Sequence, residues 1–139
     1  MFDKILVPVD FSERSDRAID AVIDLVAGGS PCVRLFHVIE AISGLRVEDE
    51  EAFFERLEAR ARKVLAQHGN RLTAAGVEWD SEVVYGSRVR GIVEKAEEMS
   101  ADLILLASHR LEPERPGGGW GTLSYQVAIL STCSVLLVK

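Results

Sequence analysis

The chain has 139 residues, 47% of them apolar, which suits one domain over residues 1–139 with one substantial core. Its 16 Lys and Arg against 22 Asp and Glu give a net charge of −6, which repels a phosphate polymer and offers no polybasic anchor, so nucleic-acid binding and membrane insertion are not expected. No apolar run is long enough to cross a bilayer, and MFDKILVPVD, with an acid beside its one lysine and a short apolar centre, does not read as a signal peptide; a cytoplasmic protein is the expectation.

Lys4 to Val9 (KILVPV) is a short run rich in branched residues and predicts a first strand, with Asp10 and Ser12 placed to cap the helix that follows. From Ser15 to Val26, Ala18, Ile19, Val22, Leu25 and Val26 recur at helical spacing, and Gly28 and Gly29 end the helix. Cys32 to Val38 (CVRLFHV) predicts a second strand, and Glu40 to Val47 a loop turning at Gly44. A long helix follows with a core stripe of Phe54, Leu57, Ala61, Val64 and Leu65 and a charged outer face, closed by Gly76. Val77 to Tyr85 alternates as a third strand with Val77, Trp79, Val83 and Tyr85 as its apolar members.

Gly86-Ser87 predicts a turn and cap for a third helix buried through Val89, Ile92, Val93 and Ala96; Gly91 within it points to close packing or close approach of a ligand. Asp102 to Ala107 (DLILLA) is a strand covered on both faces. Thr122 to Leu130 predicts a short last helix and Val135 to Val138 a last strand. Five strands alternating with four helices call for a parallel sheet with helices on both faces and right-handed crossovers, and ligands bind such sheets beyond the carboxyl ends of the strands. Cys32 and Cys133 form no CxxC pair and predict two buried thiols in separate strands, in a reducing compartment.

At those carboxyl ends, Asp10 suits either a helix cap or a carboxylate for a ribose hydroxyl or a metal-bound water. His37 reads as a hydrogen-bonded strand histidine, because no second ligand lies at metal spacing from it; His68 and His109 are equally isolated. There is no GxSxG elbow and no acid/base constellation, so any turnover would be slow and metal-dependent. The stretch ASHRLEPERPGGGWGT, Ala107 to Thr122, places Gly117, Gly118 and Gly119 before Gly121-Thr122 at a helix start, with Arg110 and Arg115 nearby. Bare amides at that start attract a phosphate. A plain flexible loop with Thr122 as an ordinary cap has the same composition, and the lysine of a P-loop is missing.

Taken in order, KILVPVDFSERSDRAIDAV, LFHV, GSRVRGIVEKAEEMSADLILLASHR and CSVLLVK resemble the universal stress protein family over essentially the whole chain, least from Glu40 to Gly76. The resemblance implies an α/β fold of the Rossmann-like, adenine-nucleotide alpha-hydrolase type: an open five-stranded parallel sheet in the order 3-2-1-4-5. It implies a homodimer that binds ATP or AMP, with Mg2+ as an accompanying ion, as a regulatory module in stress response. By position it sets Asp10 near ribose, phosphates and metal, and Val38 against adenine, with Pro8, Val9 and Leu106 beside them. The family's phosphate signature is glycine, two residues, glycine, nine residues, then glycine with serine or threonine. Ala107 and Arg110 stand at the first two glycines here, ten residues intervene, and Gly121-Thr122 matches. Members that lack the signature imply an alternative, a nucleotide-free homodimeric adaptor for a protein partner. The family's pairing of last strands implies a dimer interface at Val135, Leu136 and Leu137, against a monomer whose own segments cover that edge.

Overall fold

The computed structural model describes residues 2–40, 47–108 and 122–139. Gly44, His109, Arg110, Arg115, Gly117, Gly118, Gly119 and Gly121 lie outside the described residues. In chain order the elements are β1 (Lys4–Pro8), α1 (Arg14–Val26), β2 (Cys32–Ile39), α2 (Val47–Ala74), β3 (Glu78–Tyr85), α3 (Arg88–Glu98), β4 (Leu103–Ala107), α4 (Leu123–Leu130) and β5 (Ser134–Val138). The strands form one sheet in the order β3-β2-β1-β4-β5, every neighbouring pair parallel. Among the described residues no helix is long and apolar enough to cross a membrane.

The central strands are the apolar runs. Ile5, Leu6 and Val7 of β1 and Leu103 to Leu106 of β4 are buried, and their neighbours alternate between faces because strand side chains alternate. The sheet therefore divides the expected single core in two. Ile5, Val7, Val33, Leu35 and Leu105 pack with Ala18, Ile19 and Val22 of α1 and Leu65 and Leu72 of α2. Leu6, Phe36, Val38, Ile104 and Leu106 pack with Ile92 and Ala96 of α3 and Val127 of α4 on the other side.

Several readings are corrected. The N-cap position of α1 is Glu13, which makes no side-chain cap bond, and Asp10 accepts from Ser12 within its own turn rather than capping the helix. Tyr85 does not join the core: β3 is an edge strand, and the ring is 52% exposed, edge-on to Phe54 with its hydroxyl donating to Glu58 Oε2 at 2.6 Å. Cys32 and Cys133 are free thiols but only half-buried, and Cys133 lies in the bend before β5 rather than in a strand. In α3 the buried face includes Lys95, whose Nζ reaches Glu82 on β3 and Glu98 at 3.0 Å and 3.1 Å.

α2 is the longest element. Its 28 residues span about 42 Å, against roughly 26 Å for the eight residues of β2. Ala61 and Leu65 of the predicted stripe are buried, Phe54, Leu57 and Val64 half-buried, and the stripe continues through His68, Gly69 and Leu72. At Gly69 the indole of Trp79 lies where a β-carbon would stand, and Trp79 Nε1 donates to Thr73 Oγ1 at 2.8 Å. Gly76 closes the segment after α2 with φ +77, a conformation that favours glycine.

Candidate functional site

The carboxyl ends of β1, β2 and β4 open into a cleft lined by Pro8, Val9, Asp10, His37, Val38 and Ala107. β1 leads into it through Pro8 and Val9. Val9 is fixed twice to β2: its amide donates to Phe36 O at 2.8 Å, and its carbonyl accepts from His37 Nδ1 at 2.8 Å. A carbonyl only accepts, so the proton sits on Nδ1 of that imidazole. His37 is thus the hydrogen-bonded strand histidine that the sequence predicts. On its other side Phe11 stacks at 4.8 Å between ring centroids, and Arg60 of α2 covers Phe11 with its guanidinium carbon 4.2 Å from the ring centre. The stack ties the turn after β1 to α2.

Asp10 follows in that turn and lines the cleft. Its Oδ1 accepts from Ser12 N at 2.8 Å, Ser12 Oγ at 2.6 Å and Ser15 Oγ at 3.1 Å, while its own amide donates to Ser15 Oγ at 3.1 Å. Its second oxygen, Oδ2, has no hydrogen bond among the described residues. Burial pushes the carboxyl pKa up, but the hydrogen bonds from Ser12 and Ser15 and the charge of Arg14 outweigh it and leave the group below its ordinary value. Asp10 is therefore a held, ionised carboxylate with one oxygen available.

At the end of β2, Val38 is 5% exposed and faces the α3/α4 core. Gly91 meets it there: a β-carbon on Gly91 would lie 3.1 Å from Val38 Cγ2, which accounts for that glycine by close packing. Arg88, the first residue of α3, and Ile92 one turn later complete this side of the cleft. At the end of β4, Leu106 and Ala107 line the floor, and Ser108 passes its amide to Val138 O at 2.8 Å. Ser108 Oγ lies 2.8 Å from Ser124 Oγ in the first turn of α4, and Thr122 Oγ1 lies 3.5 Å from Ser124 Oγ. Thr122 occupies the N-cap position of α4 without a side-chain cap bond.

The cleft thus brings together Pro8, Val9, Asp10, Val38, Leu106 and Ala107, and the α4 start at Thr122 and Leu123 adjoins it. Arg110 and Gly121 lie outside the described residues. Sequence reading did not single out Ser15, Arg88 or the hydroxyls of Ser108 and Ser124. Ser15 and Arg88 open helices that follow strand ends, which is the signal that marks them. Among the described residues no three His, Cys, Asp or Glu side chains gather into a metal site. At the far edge, Leu136 is 40% exposed while Val135 and Leu137 pack partly against the α3/α4 core, and Ile129 and Leu130 at the end of α4 are 78% and 58% exposed.

The model of the universal stress protein family matches residues 1–139. Universal stress protein YxiE of Bacillus subtilis (strain 168) is 26% identical over 150 residues, covering 100% of both chains. Among solved structures, the hypothetical protein MJ0577, the subject of a structure-based assignment of biochemical function, superposes with a TM-score of 0.84 at 27% identity, covering 100% of this chain and 96% of that one. A universal stress protein in complex with cAMP matches in fold with a TM-score of 0.76 at 23% identity, covering 99% and 97%.

Proposed function

The chain belongs to the universal stress protein family, and from that premise we propose that it is a regulatory module that binds an adenine nucleotide, AMP or ATP, across the ends of β1, β2 and β4. One observation carries the reading: a single cleft joins an apolar end at Val38 and Ile92, a held carboxylate at Asp10, and the start of α4. The positive end of the helix dipole at α4 suits phosphate, the apolar end suits a base, and Asp10 Oδ2 suits a ribose hydroxyl. Mg2+ arriving with ATP would neutralise phosphate charge, and Asp10 is the residue placed to meet it. The cAMP complex of a relative with this fold supports the nucleotide class.

In this reading the whole chain acts as one unit in the cytoplasm during stress, paired to a second copy through β5. Support for the pairing comes from the exposed Leu136 on a strand whose outer edge has no partner among the described strands. Arg110, which stands where the family signature has glycine, favours a second reading, a nucleotide-free homodimeric adaptor for a protein partner. Calorimetric titration with AMP, and with ATP and Mg2+, separates them. Saturable binding near one per chain supports the module; no heat from folded, nucleotide-free protein refutes it.

A further inference from the structure

The apolar end of the cleft carries an ion pair at its lip. Arg88 lines the cleft beside Val38 and Ile92, and its Nε lies 3.5 Å from Oε1 of Glu40, two residues beyond Val38. The two side chains are 52% and 53% exposed, and a pair so open to water adds little to stability, so holding the fold does not account for it. It is also easily exchanged for another partner.

The polarity of the cleft fixes which part of a ligand comes near. Leu123 brings the start of α4 to the cleft at its β4 end, where the positive end of the helix dipole best holds an anionic group. A flat base then falls at the opposite end, against Val38 and Ile92, with its outer edge toward Arg88 and Glu40. A guanidinium only donates hydrogen bonds and a carboxylate only accepts them. Side by side, they complement an edge on which a ring nitrogen adjoins an amino group.

We propose that Arg88 and Glu40 read the edge of the bound base, Arg88 donating to a ring nitrogen of adenine and Glu40 accepting from its 6-amino group. The assignment rests on the nucleotide reading above and adds the residues that select the base. Their mutual contact opens as each turns to the ligand.

The test is calorimetric titration of the full chain, Glu40→Ala and Arg88→Ala with AMP, adenosine and purine riboside 5′-monophosphate, which keeps the ring nitrogens and phosphate but lacks the amino group. The parent binds AMP about tenfold tighter than the analogue, the worth of one hydrogen bond to a charged acceptor. Glu40→Ala abolishes that preference. Arg88→Ala weakens AMP, the analogue and adenosine alike, by about five- to tenfold. Weakening of AMP but not adenosine would assign Arg88 to the phosphate and overturn the proposal. Unchanged affinities in both variants, with AMP still bound, overturn it and leave the nucleotide reading standing. A parent that binds neither AMP nor ATP overturns both.

Discussion

Substituting alanine at Gly69 drives a methyl group into the indole of Trp79, because a β-carbon there would overlap Cζ2, Cη2 and Cε2 of the ring. Helix propensity alone favours the change by about 1 kcal/mol. Against it, the ring has to leave. Trp79 is half-buried, so displacing it returns on the order of 100 Å² of apolar surface to water, about 2.5 kcal/mol. The bond from Trp79 Nε1 to Thr73 Oγ1 is lost as well, for about 1 kcal/mol. The balance is a destabilisation of about 2–3 kcal/mol, which lowers Tm by roughly 6–10 °C for a chain of this size. Urea and thermal unfolding followed by circular dichroism measure it. In a Trp79→Ala background the same Gly69→Ala change loses its clash and becomes stabilising by up to about 1 kcal/mol. A Gly69→Ala protein as stable as its parent, with Trp79 intact, refutes the account.

His68 is 8% exposed between α1 and α2, and burial holds its pKa below the ordinary imidazole value although Asp16, 3.8 Å away, pulls it up. The folded state then binds fewer protons than the unfolded chain below about pH 6.5, so stability falls as pH drops from there toward the folded pKa; His68→Gln flattens that slope in urea titrations at several pH values. Asp10→Asn keeps an acceptor for Ser12 and Ser15, so its unfolding free energy stays within about 1 kcal/mol of the parent, while affinity for ATP with Mg2+ falls at least about tenfold by calorimetry. The lowered pKa of Asp10 adds stability above its unfolded value near 3.8, lost as pH falls through the folded value, and Asp10→Asn removes this acid-range term. Leu136→Asp converts a dimer into a monomer by light scattering without lowering the α-helical signal; a parent that is monomeric across concentrations refutes pairing through β5.

The frame was legible because its signals are local. DLILLA reads as a strand covered on both faces, Gly-Ser before Arg88 reads as a helix start, and the family resemblance supplied the strand order. What escaped depends on partners far apart in sequence. Lys95 sits on the buried face of α3 because Glu82 on the neighbouring strand receives its charge, and no helical pattern encodes a carboxylate 13 residues away. Tyr85 continues the alternation of β3, yet an edge strand has less to pack against and the ring turns out to Glu58. Arg88 looks like any surface arginine until α3 is laid beside β2. Asp10 was read as a cap or a ligand group, and its Oδ1 closes a turn while Oδ2 stays available, so the two readings use different atoms of one carboxylate.

The length of α2 gives the Gly69 contact a mechanical meaning. From Gly69 back to Val47 the helix runs about 33 Å. Arg60, resting on Phe11 next to Asp10, lies along the same arm about 13 Å from Gly69. α2 is therefore held at separate points along its length, by Trp79 at Gly69, by Phe11 at Arg60 and by Tyr85 at Glu58 and Phe54, so the turn that carries Asp10 rests on an arm braced on both sides of their contact.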